Sequence, residues 1–192
     1  MSTLSVPDYA PYYCEENIWQ LARAGRFERG QADVVFISNA QRSCPLWSQR
    51  ACKKHGEPVF WDYHVVLVQH DPVRKVIDLD STLGSSLDPE TWWGATFPLM
   101  DFIIPEFRPR FRLIDAELFA RTFASDRSHM RSEDGSWKAA PPHWPCPSPG
   151  EAGVDLQIFI DTSDASGAPG EVLDDVDFVS YLTHARRFKK SI

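Results

Sequence analysis

The sequence predicts an α+β domain, with an antiparallel core sheet flanked by helices. Three observations carry this. A helical apolar pattern near the N-terminus precedes the first strand-like run. Two further strand-like runs are joined by an Asp71-Pro72 turn. Helical spacing then returns over 116–123 and 172–188. Strands that follow one another through turns pair antiparallel, and the helices cover them. The 192 residues suffice for one domain with its own core.

Residues 15–24 read as a helix, because Ile18, Leu21 and Ala22 share a face and Glu15 and Glu16 suit its positive end. Ala24-Gly25 ends it. Val34–Ser38 is a short β-branched run closed by Asn39 and reads as a buried strand. Residues 40–58, with Pro45, Gly56 and Pro58, read as loop. Residues 59–70 form the longest strand candidate, and 74–80 return as its hairpin partner. Residues 81–109 are punctuated by Gly and Pro, with room for a short helix at 89–94. A strand at 111–115 leads into a helix at 116–123. Residues 131–150 and 161–170 read as loops. The closing helix at 172–188 rests on Val172, Val176, Val179 and Leu182, with Arg186 and Arg187 at its C-terminal end. No internal repeat is visible.

A net charge of −7 argues against nucleic acid as the main partner, since phosphate contacts need clustered Lys and Arg. No apolar run approaches membrane-spanning length, and residues 1–8 lack the pattern of a secretory signal. The four cysteines are scattered and read as reduced thiols, so a cytoplasmic or nuclear location is expected. Nothing suggests an assembly interface, so a monomer is expected. Cys44, Cys52 and His55, and the pair His143/Cys146, lack the paired spacing of structural zinc sites. No metal is expected.

The chemistry centres on Cys14, at the start of the first helix. A helix N-terminus favours a thiolate, the form of cysteine that attacks carbonyl carbon. His64 lies in the 59–70 strand, and Asp78 and Asp80 lie on its hairpin partner. Thiol, imidazole and carboxylate are the parts of a thiol hydrolase or acyltransferase. On a strand both aspartates share a face, and either could orient the imidazole. A turn centred near Pro72 puts position 80 opposite 64, which favours Asp80. The segment Phe123–Met130 reads either as a capped turn, with Ser125 or Asp126 bonding backbone amides, or as a loop at the mouth of the site.

Five ordered segments carry a resemblance. They are Tyr13–Trp19, Val35–Asn39, Trp61–Leu67, Asp78–Asp80 and Phe123–Met130. Together they are similar to the protein N-terminal glutamine amidohydrolase family from about residue 10 to 147. Departures fall at 40–57, 81–106 and after 148. The resemblance implies a papain-like or transglutaminase-like cysteine hydrolase fold, with 1–192 as a single catalytic domain. It implies conversion of an N-terminal Gln to Glu with release of ammonia, a step that feeds the arginine N-degron pathway. Its substrates would be proteins and peptides with a free N-terminal Gln, and no cofactor is needed. Carried over by position, Cys14 is the nucleophile, His64 the base and Asp78 the orienting carboxylate, in disagreement with the hairpin register. Selectivity for a chain terminus also needs a site for the free ammonium, for which Asp62 and Asp126 are the candidates. The alternatives are another papain-like thiol hydrolase or transglutaminase, or a peptide-binding module without catalysis.

Overall fold

The strand Ala32–Ser38 (β1) is buried at every one of its residues, which requires cover on both faces. The computed structural model, which describes residues 8–150, 153–163 and 167–184, supplies it. β1 lies inside a six-stranded sheet. Its neighbours are Tyr63–Gln69 (β4) and Arg110–Asp115 (β7), and the order continues outward through Glu171–Leu173 (β10) on one side and Lys75–Ile77 (β5) and Ser86–Leu87 (β6) on the other. Every neighbouring pair in this sheet is antiparallel. The alternation of side chains divides the core. Val34, Phe36, Val65 and Leu67 face one apolar cluster and Val35, Ile37, Val66 and Val68 the other.

Five helices cover the two faces. Cys14–Gly25 (α1), Ala116–Thr122 (α3) and Leu156–Ile160 (α4) contribute to the first cluster, through residues such as Ile18, Phe119 and Phe159. Pro89–Thr96 (α2) and Asp175–Thr183 (α5) contribute Trp92 and Phe178 to the second. An aspartate caps α2, α3, α4 and α5, each accepting from backbone N–H groups of the first turn. α1 has no side-chain cap. Its first N–H groups are left to the site at which it starts. None of the described helices is long and apolar enough to cross a membrane.

The structure departs from the sequence reading in four places. The 59–70 run is two strands, because the chain breaks at Asp62. Val59–Trp61 (β3) pairs with Cys44–Leu46 (β2), inside the stretch read as loop, whereas β4 pairs with β1. The 74–80 strand ends at Ile77. The closing helix begins at Asp175, since Glu171–Leu173 pair with β7 and Asp174 caps the helix. Its buried face is Phe178, Tyr181 and Leu182, while Val176 is exposed. Its expected basic end at Arg186 and Arg187 lies outside the described residues. Finally, a short parallel pair, Phe123–Ala124 (β8) with Val154–Asp155 (β9), and the helix α4 have no counterpart in the sequence reading.

Phe36 stands in the middle of the first cluster, stacked on Phe159 at 5.5 Å and edge-on to Phe119 at 5.7 Å. Phe36→Ala should therefore cost about 3–5 kcal/mol of unfolding free energy, measured by urea denaturation.

Candidate active site

Residues 10–13 lead into α1 in a fixed shape. The Asn17 side chain accepts from Ala10 N at 2.9 Å and donates to Ala10 O at 2.8 Å, so a residue on the helix clasps the loop before it. Tyr12 takes a left-handed conformation, φ 67°, uncommon for a residue with a side chain and the kind of strain found at functional sites. Cys14 is then the first helical residue. It is 6 % exposed and lines a cavity of about 410 Å³ together with Trp61, Asp62, Tyr63, His129 and Lys138.

His64 is fully buried on β4, with its ring stacked on Trp61. Its Nε2 lies 3.0 Å from Asp78 Oδ1. Its Nδ1 has no hydrogen-bond partner. Asp78 accepts three more donors. Trp92 Nε1 reaches Oδ2 at 3.0 Å and Gln49 Nε2 at 3.3 Å, while Asp80 N reaches Oδ1 at 3.1 Å. Asp80 accepts from the Tyr9 hydroxyl instead. The hairpin register explains why. Leu67 pairs with Ile77 and Gln69 with Lys75, the register that would set position 80 opposite 64 if the strand continued. It does not continue. After Ile77 the chain turns to meet the 48–50 segment, with Arg50 N donating to Asp80 O and Thr82 N to Ser48 O. Asp78 thereby reaches the imidazole.

Burial pulls the His64 pKa down, but the carboxylates of Asp78, Asp80 and Glu15 outweigh it and hold the imidazole above its ordinary value. Burial pushes Asp78 up, but His64 and the Trp92 and Gln49 donors outweigh it and hold the carboxyl below the usual range. Cys14 goes the other way from the expectation of a helix-stabilised thiolate. Burial pushes the thiol well above its ordinary value, Glu15, Asp80 and Asp62 add to this, and a backbone contact with Val65 only partly opposes them. Its hydrogen bond is to Glu15 Oε2, at 3.7 Å. Among the described residues no hydrogen bond joins Sγ to His64.

The two candidates for ammonium binding are placed differently. Asp62 lines the cavity beside Cys14, with Oδ1 accepting from Tyr63 N at 3.0 Å. Asp126 does not line it; its carboxylate accepts from Ser128 N at 2.8 Å on the surface. Both readings of the Phe123–Met130 segment hold at once. Ser125 and Asp126 cap a turn, and His129 forms part of the cavity wall. Sequence reasoning missed Gln49, Trp92, Tyr63 and the buried role of Glu15, which it read only as favourable charge at a helix start. Among the described residues, His64, Asp78 and Asp80 are the one group of three His, Cys, Asp or Glu side chains close enough to hold a metal ion. His64 Nε2, both Asp78 oxygens and Asp80 Oδ1 carry hydrogen bonds, to one another or to Trp92, Gln49 and Tyr9. The Cys44, Cys52 and His55 group does not converge; Cys52 Sγ contacts the carbonyls of Lys54 and Glu57.

A buried thiol at an uncapped helix start and an imidazole held by a carboxylate meet a family match that runs along the chain. The model of the N-terminal glutamine amidase family matches residues 9–182. The chain belongs to this family. Among its relatives, the protein N-terminal glutamine amidohydrolase of Homo sapiens is 39% identical over 158 residues, covering 79% of this chain and 77% of the relative. The one of Danio rerio is 34% identical over 180 residues, covering 91% and 88%. The one of Arabidopsis thaliana is 41% identical over 145 residues, covering 70% and 65%. The match spans every element that builds this candidate site, from Tyr9 to the cavity wall at Lys138.

Asp78, held below the usual carboxylate range, contributes stability above about pH 4 that is lost as pH falls through its lower folded value. His64, held above its ordinary value, contributes stability below about pH 6.5 that is lost as pH rises through its raised folded value. Asp78→Asn removes both contributions. Beyond a constant offset, the difference in urea midpoint between the wild type and this variant should be largest between about pH 4 and 6.5 and shrink on either side. A flat difference across the scan would show that the two groups are not paired.

Proposed function

We propose that this chain hydrolyses the side-chain amide of an N-terminal glutamine, giving glutamate and ammonia, with Cys14 as nucleophile, His64 as base and Asp78 as the group that orients it. One observation carries the assignment of roles. His64 is a buried imidazole whose Nε2 is committed to Asp78 while Nδ1 has no partner. That is the state required of a base that must take a thiol proton from one side while being held from the other. A nucleophile at a helix start facing a base on an adjacent strand is the arrangement that a papain-like or transglutaminase-like single domain supplies.

The steps follow from these groups. His64 Nδ1 takes the thiol proton as Sγ bonds to Cδ of the glutamine. The backbone N–H of Cys14, which has no partner within the helix at its first position, is suited to the oxyanion. As the C–N bond breaks, His64 returns the proton to nitrogen and ammonia leaves. The thioester is then attacked by water, whose proton passes to His64 and on to the departing sulfur. Every proton is carried by His64, so the chemistry needs no cofactor. Asp62, beside Cys14 in the cavity, is suited to bind the α-ammonium. Asp126 is suited only to a chain that runs on past the cavity.

Incubation with a Gln-initiated peptide should yield ammonia and a Glu-initiated peptide of unchanged length by mass spectrometry. A cut chain or a crosslink would instead indicate an endopeptidase or a transglutaminase. Cys14→Ala should abolish ammonia release, and activity that survives it removes Cys14 from the mechanism. Asp78→Asn should lower kcat by about 10²- to 10⁴-fold, the range of losses on removing the orienting partner of a catalytic histidine.

A further inference from the structure

The two glutamates after Cys14 are both fully buried, and their surroundings are opposite. Glu16 accepts from Arg127 Nε and Nη2, each at 2.7 Å, and from Trp144 Nε1 at 2.7 Å. Its charge is met in full. Among the described residues no Arg or Lys meets Glu15. Its Oε2 accepts from Tyr63 Oη at 2.9 Å and from the Cys14 thiol at 3.7 Å. Its Oε1 makes no hydrogen bond, and His129 Nε2 stands 3.5 Å away. A buried carboxylate without an Arg or Lys partner is costly to keep, and this one touches the reacting sulfur.

The other groups around the thiol do not supply the missing charge. Asp62 faces it from the cavity wall, Asp80 from the turn after β5, and Tyr9 and Tyr63 are neutral hydroxyls. His64 is committed to Asp78. His129, which also lines the cavity, touches Glu15 and Tyr63, while the Lys138 ammonium donates to His129 O at 2.9 Å. Three carboxylates, Glu15, Asp80 and Asp62, thus surround the thiol, and Asp62 is the one that lines the cavity. In glutamine only four bonds separate Cδ from the α-nitrogen. A substrate whose amide carbon has reached Sγ must hold its ammonium within the same cavity, beside Asp62, with Glu15 directly behind Cys14 and Tyr63.

We propose that Glu15 makes activation of the nucleophile depend on a free chain terminus. It holds the Cys14 thiol in a resting hydrogen bond, and the arriving α-ammonium offsets the charge of the three carboxylates and releases the thiol to His64. This deepens, and rests on, the reading of Cys14 as nucleophile. Glu15 stays a carboxylate throughout, and the thiol proton passes to His64 Nδ1 as the S–C bond forms. An acetylated terminus or an internal glutamine brings no charge, so the thiol remains with Glu15. The upward push on the thiol from burial and from Glu15 agrees with a protonated resting state. The terminus is thus read twice, once for binding and once for switching on the sulfur.

The test is the rate at which iodoacetamide alkylates Cys14 at pH 7, read by peptide mapping in which Cys44, Cys52 and Cys146 are scored separately. Glycinamide is added as a probe that carries an α-ammonium without a reactive side chain, and N-acetylglycinamide as its uncharged counterpart. In the wild type, glycinamide should accelerate alkylation of Cys14 by roughly threefold or more and the acetylated compound should not; in Glu15→Gln the basal rate should rise by about tenfold, the effect of about one pKa unit on the thiolate fraction, and no longer respond. The kcat/KM preference of Glu15→Gln for Gln-initiated over acetyl-Gln-initiated peptide should fall by about tenfold as well, which a loss of packing alone would not produce. An unresponsive wild type, an unchanged basal rate in the variant, or a response retained in it overturns the proposal. If circular dichroism shows the variant unfolded, the two wild-type rates decide alone. Ammonia release from a Gln-initiated peptide is measured on the same wild-type sample. Its absence ends the functional reading itself, and its presence with unresponsive alkylation ends only this inference.

Discussion

The Asp78 carboxylate is the interaction on which the site hangs. One fully buried anion accepts from His64 on β4, Trp92 on α2, Gln49 in the 47–50 segment and the backbone of its own turn. A buried charge survives only when its lone pairs are met, so four separate parts of the chain must arrive together. The same requirement fixes the imidazole. With Nε2 held, the ring's orientation and tautomer are set before any substrate enters. It also accounts for the end of β5. A strand that ran on to residue 80 would keep these donors apart, and the chain leaves the sheet at the residue where they converge.

A second constraint is electrostatic and sits at the start of α1. Helix polarity alone favours anionic sulfur, but burial and three carboxylates act over shorter distances and win. Glu16 belongs to the scaffold. Through Arg127 and Trp144 it ties the helix to the 123–130 and 142–144 segments and so carries His129 to the cavity wall. Glu15, one residue earlier, meets the Cys14 thiol and the Tyr63 hydroxyl. Adjacent side chains of one type thus serve different ends, because successive helical positions point about a quarter-turn apart.

Much of this is legible in the sequence where local pattern decides the outcome. α1, β1, the hairpin of β4 and β5, and α3 follow from apolar spacing and from turn residues. His64 and Cys14 stand out as chemistry-bearing types at informative positions. The hairpin register is legible too, yet it points to Asp80, because arithmetic along a strand cannot show where the strand stops. That stop is set by the 47–50 segment, distant in sequence. The same holds for Trp92, on the short helix expected at 89–94, and for Gln49, in a stretch that reads as loop; both are ordinary residues until the fold brings them to Asp78. Asp62 breaks a run that looks continuous by exchanging one pairing partner for another. In the last helix, the face expected from Val172, Val176, Val179 and Leu182 holds at Leu182, while Phe178 and Tyr181 rather than the valines complete it.

The complete burial of β1 has a consequence for how the molecule is made. Its partners β4 and β7 lie dozens of residues downstream, and the helices that cover it come from both ends of the chain. As the polypeptide leaves the ribosome, Val34, Val35, Phe36 and Ile37 must wait uncovered until β7 has been synthesised. Long-range pairing of this kind slows folding, and an apolar β-branched run without charge is a sticky one while it waits. Yield of the native protein should then be governed by the interval between synthesis of β1 and arrival of β7, a matter of translation speed and chaperone supply.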